Sequence, residues 1–513
     1  MPHHRIAAID VGTNSIHMIV VEAQKHGYRV IDKEKEMVQL GRDSLEGRPL
    51  TDDAIERGVE ALKKMAGIAE RWKVNEVVAV ATSAIREAPN GRRFITLAQK
   101  ASGIKVRVIS GDEEADYIYR AVRSAIDFHG GTALAVDIGG GSVELIVGTT
   151  EQVYLTSSEP LGALRMSQMF ELDRASTPAQ VDDCRAYVRK RLKKPLKSVT
   201  ALGFDFTVGT SGTIVTLAAL ATIGAANGDS MSSGLRWLSR KRLRDLIDAL
   251  TPLSPAERAK RFAIDERRAE TILAGAIVLY EIMRGLELEQ LRAVDAALRE
   301  GIVDSVLDRV REPKERGSVR RSSVLSLVER SDVERTHATH VARLALRIFD
   351  QTQELHRFRT GERELLEYAA LLHEVGMHVS YQGNHKHAYY LISHAGLRGF
   401  TTDQVAVVAN VARYYRKAPP SDADENFRQL SGPQKDVVRK LSAMLRIADA
   451  LDRGRRRAVR DVGVEVGEGK VHFHVRLRGE GDVEVAAATR RARYFGKVFE
   501  TDVDFEESSS AAA

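Results

Sequence analysis

The chain has 513 residues, of which 43% are hydrophobic and 29% are charged, with a formal net charge of +6. This composition excludes an intrinsically disordered chain, and the length suits three or four domains of about 100–200 residues each. The positive charge favours anionic partners such as nucleic acid, nucleotides or polyphosphate.

The location of the protein is predicted from its cysteine content and its N-terminus. Cys184 is the single cysteine, so no internal disulfide forms, which fits a reducing compartment. The opening segment MPHHRIAAID leads directly into a strand pattern, so we expect no signal peptide and a cytoplasmic protein. The uncharged run 206–228 is rich in Gly, Ala and Thr, and a strand, a loop and a buried helix explain it better than a transmembrane span.

Strands and helices alternate through the first three hundred residues. The segments RIAAID, HMIVVEA and YRVIDKEKEMVQL predict a three-stranded meander. Apolar residues at helical spacing predict a helix over 52–72, and EVVAVATSA and KVRVIS predict two short strands. The segment 110–126 predicts a helix whose N-terminus is a capping box of Ser110 and Glu113.

A second strand, turn and strand follow at 133–148, with further strand and helix patterns to about residue 310. The charged, proline-containing segment 311–323 predicts a connector. The pattern then becomes helical, and from about Val459 it changes to period two, which predicts a hairpin over 462–479.

One motif occurs twice. IDVGTNSIHMIV at 9–20 and VDIGGGSVELIV at 136–147 align without a gap, and each combines an acid, a glycine and a serine before an apolar run. A Rossmann or P-loop turn would open a helix, whereas here a strand pattern follows, and the P-loop lysine is absent. Because glycine lets backbone N–H groups approach an anion, two such hairpins could clamp a phosphate chain and a divalent cation from both sides.

Several motifs give the chain a family resemblance. The paired turns resemble those of the actin-like superfamily of sugar kinases, Hsp70 and actin. AAIDVGTNSIHMIV, ATSAIREA, VISGDEEADYIYRAV, AVDIGGGSVELIVG, GTSGT and LREGIVDSVL resemble, in order, the motifs of exopolyphosphatases and guanosine pentaphosphate phosphohydrolases. With ALLHEVGMHVSYQGNHKHAYYLI and GFTTDQ, the resemblance reaches roughly residue 455.

The resemblance implies an α/β fold with two actin-like (ribonuclease H-like) domains at 1–125 and 126–310. An all-α HD-like domain at 311–455 and a small α+β C-terminal domain at 456–513 would follow. It also implies a homodimer.

The same resemblance assigns site residues. Glu114 corresponds to the general base that activates water, and Arg86 would neutralise developing charge. The implied cofactor is Mg²⁺, with Mn²⁺ and a monovalent cation as further candidates. Its implied ligands or orienting groups are Asp10, Asp137 and Glu144. The implied phosphate-binding residues are Asn14, Ser15, Gly139, Gly140, Gly141, Ser142, Ser211, Gly212, Thr213 and Arg268.

The function favoured at this point is Mg²⁺-dependent release of terminal orthophosphate from inorganic polyphosphate. The alternative is hydrolysis of guanosine pentaphosphate to the tetraphosphate, a reaction of the stringent response, or both activities; these nucleotides could also act as regulators. An actin-fold kinase would have little use for the helical extension, and an Hsp70-type protein would need a peptide-binding β-domain. The basic runs 189–197 and 453–460 lack interleaved aromatic residues, so we expect no DNA partner.

A histidine pattern in the helical region resembles that of HD phosphohydrolases. It comprises His337, the pair His373–Glu374, and Asp449, with glutamate where the pattern has the shorter aspartate. The favoured interpretation is a scaffold that no longer binds metal. Further candidate nitrogen ligands are His378, His385, His387 and His394.

Overall fold

The computed structural model describes residues 4–42, 44, 45, 47–222, 236–310 and 319–508. Most of the predicted connector, and the end of the uncharged run, lie outside these ranges. The chain divides into two compact units, one containing the described residues up to Val319 and the other those from Arg320 onward. Within these ranges, no helix combines the length and the apolar character that crossing a bilayer requires.

The first unit begins with a five-stranded sheet, which with its helices we call the first lobe. The three N-terminal strands form the predicted antiparallel meander, and two parallel strands extend it in the order β3-β2-β1-β4-β5. Its strands are β1 (Arg5–Val11), β2 (Ile16–Gln24), β3 (Gly27–Glu36), β4 (Glu76–Ala81) and β5 (Val106–Val108). Its helices are α1 (Asp52–Arg71), α2 (Ser83–Glu87), α3 (Gly91–Ser102) and α4 (Gly111–Ala125).

The second lobe repeats this topology. Its sheet order is β8-β7-β6-β9-β11-β10, in which an antiparallel meander again adjoins parallel strands. The strands are β6 (Ala133–Ile138), β7 (Val143–Gly148), β8 (Val153–Glu159), β9 (Phe206–Thr210), β10 (Arg236–Ser239) and β11 (Gln290–Ala293). The helices are α5 (Ala163–Met169), α6 (Pro178–Leu202), α7 (Ser211–Thr222), α8 (Arg240–Leu250), α9 (Pro255–Phe262), α10 (Glu266–Ala269), α11 (Ile272–Gly285) and α12 (Leu298–Val310).

The two lobes share a core. Buried residues of α4 in the first lobe, such as Ile118, pack in one cluster with Ile146 of β7 and with Ile302 and Val306 of α12. α12 lies so close to α4 that a Cβ atom at Gly301 would meet the carbonyl of Tyr117, which explains the glycine. The last helix of the first unit, α12, therefore packs on the first lobe.

The second unit is helical and ends in a three-stranded sheet with the order β12-β13-β14. Its helices share one core with the sheet and with the helix between β13 and β14. The predicted hairpin is formed by β12 and β13. The elements are α13 (Val319–Arg330), α14 (Arg335–Gln351), α15 (Gln353–His356), α16 (Thr360–Leu372), a 3₁₀ helix (Val375–His378), α17 (Asn384–His394), α18 (Thr402–Arg413), α19 (Glu425–Arg428), α20 (Gly432–Ala450), β12 (Val459–Gly467), β13 (Lys470–Leu477), α21 (Asp482–Phe499) and β14 (Asp502–Ser508). The four-domain boundaries stay predictions.

Candidate active site between two glycine turns

The repeated motif forms two hairpins of the same geometry. In the first, the Gly12 N–H donates to the Ser15 carbonyl at 3.1 Å, and in the second the Gly139 N–H donates to the Ser142 carbonyl at 3.0 Å. Both turns join antiparallel strands, β1 to β2 and β6 to β7, as the sequence predicted. Each turn is thus closed by one backbone hydrogen bond.

The tips of the two turns pack against each other. A Cβ atom at Gly140 would lie 3.1 Å from the Thr13 Cβ, and one at Gly141 would lie 2.9 Å from the Thr13 Oγ1 and would clash with the Ser83 Oγ of α2. The Thr13 and Ser83 hydroxyls are themselves hydrogen-bonded at 2.8 Å. Gly140 and Gly141 thus lie where the first turn leaves little room for a side chain, and the pair of turns lines a cavity of about 250 Å³.

The predicted phosphate-binding residues meet at this cavity. All ten line it, including Arg268 and the three residues at the N-terminus of α7. Ser211 begins that helix with φ of 85°, and the Arg268 guanidinium packs against Gly212 and reaches the Thr213 hydroxyl at 3.4 Å. Helix N-termini and glycine turns both present unpaired N–H groups, so this cavity suits an anion.

Acids from both turns and from α4 lie at or beside the cavity. Asp10, Glu114 and Asp137 line it, and Asp137 stands opposite Glu144 in the β6–β7 register. Burial, and then the charge of Glu114, raise the pKa of Asp137 to about 8 and that of Asp10 to about 7. Burial also raises the pKa of Glu144, whose Oε1 accepts a hydrogen bond from Ser158. Glu144 does not line the cavity itself, so the structure places it behind Asp137.

The two predicted catalytic residues form an ion pair. Nη1 of Arg86 donates to the Glu114 Oε2 at 3.1 Å and to the Ile109 carbonyl at 2.8 Å. Burial raises the pKa of Glu114, while Arg86 opposes this shift. Glu113, its neighbour, completes the predicted capping box with Ser110 and pairs with Arg107 on the exposed side. Glu114 is therefore the glutamate that lines the cavity, and Arg86 lies behind it.

Three basic residues at the cavity were not predicted, and neither was Asp295, which also lines it. Nδ1 of His17 lies 2.7 Å from the Arg299 guanidinium, and its Nε2 lies 2.7 Å from the Ser15 hydroxyl. Because Arg299 can only donate, Nδ1 accepts and Nε2 carries the proton. Burial, and then Arg299, lower the pKa of His17 to about 3, so the ring is neutral. Lys35 also lines the cavity. The repeat did contain a signal, since His17 occupies the position that Glu144 occupies in the second copy.

Two buried oxygen atoms at the first turn are available to bind a divalent cation. Oδ1 of Asp10 and Oδ1 of Asn14 are buried and accept no hydrogen bond from the described residues, which leaves them available as ligands. Nowhere in the described part of the cleft do three acid or histidine ligand atoms converge within 4.8 Å of one another. Mg²⁺ suits such a site, because it keeps several waters and uses one or two carboxylates together with substrate phosphates.

Comparison with known proteins identifies the family. The model of the Ppx/GppA phosphatase family matches residues 19–310, and that of Ppx/GppA phosphatase domain III matches residues 319–482. The chain is 29% identical over 419 residues, 80% of each protein, to guanosine-5'-triphosphate,3'-diphosphate pyrophosphatase of Photobacterium profundum.

Solved structures agree with this. An exopolyphosphatase from Cytophaga hutchinsonii is 27% identical and superposes with a TM-score of 0.57 over 60% of this chain and 99% of its own. The Ppx/GppA family member of Aquifex aeolicus is 30% identical, with a TM-score of 0.52 over 61% of this chain and 100% of its own. The two lobes thus have the actin-like arrangement expected from the sequence. The matched models, with the cleft built from the two turns, show that the chain belongs to the Ppx/GppA phosphatase family, whose members are hydrolases acting on phosphoanhydride bonds.

Proposed function

We propose that the protein is an exopolyphosphatase, which releases terminal orthophosphate from inorganic polyphosphate with Mg²⁺, or Mn²⁺, as cofactor. The observation that carries this proposal is the buried Glu114 carboxylate at the wall of a cavity whose other walls are glycine turns and a helix N-terminus. A base and a set of anion-binding N–H groups are what phosphoanhydride hydrolysis requires of a protein, since positioning and charge neutralisation dominate that reaction.

Each part of the cavity has a role in this proposal. Glu114 accepts a proton from a water molecule while the oxygen of that water attacks the terminal phosphorus. The bond from this phosphorus to the bridging oxygen breaks, and the bridging oxygen leaves with the shortened chain. The N–H groups of the second turn and of α7 hold the phosphoryl oxygens, and Arg268 and Arg299 offset their charge. Asp137 and Asp10, with Glu144 behind them, would hold Mg²⁺. When bound, the cation would neutralise charge on the phosphates.

The lining of the cavity suits the end of a polyphosphate chain. It offers polar and charged contacts, and none of the described residues that line it is Phe, Tyr or Trp. A purine base commonly stacks on an aromatic or guanidinium plane, and the guanidinium groups of Arg268 and Arg299 are present here. The lining therefore supports polyphosphate as a substrate, and the assay below decides between it and a nucleotide.

The second unit adds a basic surface suited to a polyanion. A cavity of about 400 Å³ is lined by five arginines, together with Asp449 and Tyr494. The arginines are Arg446, Arg453, Arg490, Arg491 and Arg493. Within the basic run 453–460, by contrast, Arg455 is engaged by Glu334 and Glu374. We propose that this arginine cavity, more than the run as a whole, binds a distant part of a long polyphosphate chain.

Guanosine pentaphosphate is the second candidate substrate, favoured by the activity that names the Photobacterium relative. Both substrates end in a phosphoanhydride, so the same cavity and base would serve. The nucleotide could also bind as a regulator. The expected homodimer belongs to this proposal, and light scattering measures it directly.

A side-by-side assay tests the proposal. Orthophosphate release is measured from long-chain polyphosphate, guanosine pentaphosphate and ATP, each with Mg²⁺ and with EDTA. We expect the highest kcat/KM on polyphosphate and no release in EDTA. A higher kcat/KM on guanosine pentaphosphate would reverse the substrate assignment, and preference for ATP would favour the kinase-like alternative.

A matched pair of variants tests the arginine cavity. Replacing both Arg490 and Arg491 by glutamine should raise KM for long polyphosphate and leave KM for a short chain unchanged. The control replaces Arg476, which lies on β13 outside the cavity. An equal effect on long and short chains would contradict the assignment.

A further inference from the structure

A second polar cluster lies inside the second unit. One ring nitrogen of His337, one of His373 and a carboxylate oxygen of Asp449 lie within 4.8 Å of one another. Oδ1 of Asp449 is 3.5 Å from the His373 Nε2 and 4.0 Å from the His337 Nε2. The residues come from α14, the end of α16 and α20, so three packed helices fix their positions.

Both histidines turn an unused nitrogen into this cluster. His337 is 3% exposed and His373 is fully buried, and Nε2 of each has no hydrogen-bond partner among the described residues. Leaving a buried polar atom unpaired is costly, typically about 1–3 kcal/mol. Because both Nε2 atoms lie near the Asp449 carboxylate, a single ion bound between the three groups would satisfy both nitrogens.

The other ring nitrogens define the tautomers. Nδ1 of His373 lies 2.6 Å from the Ala370 carbonyl, which can only accept, so Nδ1 carries the proton. Nδ1 of His337 lies 2.8 Å from Oδ2 of the fully buried Asp452, whose Oδ1 accepts from the Arg457 N–H. In the neutral rings, each Nε2 then presents a lone pair. A ring oriented through Nδ1 by a carbonyl or a carboxylate is the arrangement usual for histidines that bind metals through Nε2.

A fourth donor lies beside this group of three. Oε2 of Glu374 lies 3.8 Å from the His337 Nε2, while its Oε1 is held by Arg455 at 2.6 Å. Ligands about 2.0–2.1 Å from one ion at tetrahedral angles are about 3.4 Å apart. The separations of 3.5, 4.0 and 3.8 Å for Asp449–His373, Asp449–His337 and Glu374–His337 are close to this value. The other candidate histidines, at 378, 385, 387 and 394, are not members of the cluster.

We propose that His337, His373 and Asp449, with Glu374, form a second metal centre, independent of the catalytic cleft, that binds one divalent transition-metal ion. Two imidazole nitrogens with carboxylate oxygens suit Mn²⁺, Fe²⁺, Co²⁺, Ni²⁺ or Zn²⁺ and discriminate against Mg²⁺, which prefers oxygen ligands. Asp449 also borders the arginine cavity, so an anion such as inorganic phosphate is the kind of ligand that could approach this ion.

Cobalt binding to the full-length protein provides the test. Chelator-treated protein is titrated with Co²⁺, followed by visible d–d absorption and by metal analysis after desalting. One equivalent per chain should bind with absorption typical of nitrogen and oxygen ligation. His337→Gln and His373→Gln should each weaken binding by more than about 100-fold, and Asp452→Asn, which disturbs only the orientation of His337, by about 10–100-fold.

Two controls separate this centre from other metal binding. His394→Gln changes a histidine outside the cluster, and Asp137→Asn changes the catalytic cleft; both should retain the full equivalent. Circular dichroism verifies that each variant is folded, and Asp449→Asn replaces any histidine variant that is not. Absence of a bound equivalent in the unmodified protein, or its retention in folded His337→Gln and His373→Gln, would overturn the proposal.

Discussion

The two glycine turns have the same backbone and different surroundings. Asp10 and Asp137 occupy equal positions in them, but Asp10 faces His17 across its hairpin, whereas Asp137 faces Glu144. The first turn is bordered by neutral His17 and by Arg299, and the second by Glu144, while Glu114 raises the pKa of both aspartates.

The difference shows how two copies of one backbone turn can acquire different chemical properties from the residues beside them. The backbone of each turn provides N–H groups for phosphate, and one cross-strand position decides what else the turn holds. His17, kept neutral by burial and by Arg299, adds no negative charge beside Asp10, whereas Glu144 places a second acid beside Asp137. The predictions below test this division of work.

The largest effect is expected at the base. Glu114→Gln keeps the shape and removes the basicity, so the catalytic rate should fall at least about 100-fold, because general-base help is typically worth about 10²–10⁴-fold. Substrate affinity should change little. Steady-state kinetics on polyphosphate measures both.

Glu113→Gln is the matched control. Glutamine also serves a capping box, so this variant should be mild. An inactive, folded Glu113→Gln beside an active Glu114→Gln would reverse the assignment within the pair.

An intermediate effect is expected at the first turn. Arg299→Gln removes a charged donor from the cavity, and hydrogen bonds to charged groups contribute about 1.5–3 kcal/mol, so KM should rise about tenfold or more. Arg309, exposed on the same helix and paired with Glu76, provides the control as Arg309→Gln. A lower kcat at unchanged KM would place Arg299 in the transition state instead.

The smallest effect concerns pH and stability. His17 titrates near 6.5 when unfolded and near 3 when folded, so the unfolded chain binds more protons between these values and stability falls as pH falls through this window. The contribution is at most about 1.4 kcal/mol per pH unit. Thermal unfolding at pH 7 and pH 5 should show that His17→Asn loses less stability between these pH values than the unmodified protein does.

The exposed His129 supplies the comparison, as His129→Asn. If His17→Asn and His129→Asn lose the same stability between the two pH values, the assignment of a neutral, buried ring to His17 is wrong.

The hairpins, the meander and the Ser110 cap could be predicted because periodicity, turn residues and capping are local in sequence. The contact of His17 with Arg299 could not, since 282 residues separate them. The return of α12 to the first lobe likewise depends on tertiary packing. For His373, the pattern alone favoured a scaffold without metal, because the direction of a ring nitrogen and its lack of a partner are visible only in three dimensions.

The division of work between the turns is tested most directly by the Mg²⁺ dependence of two equivalent variants. The Mg²⁺ concentration for half-maximal phosphate release from polyphosphate is measured for Asp10→Asn and Asp137→Asn. We expect Asp137→Asn to raise it by about tenfold at the least, the effect typical of perturbing a metal's surroundings, and Asp10→Asn to raise it less. Equal increases, or a larger increase for Asp10→Asn, would contradict the greater role of Asp137 and place the cation on the Oδ1 atoms of Asp10 and Asn14 in the first turn.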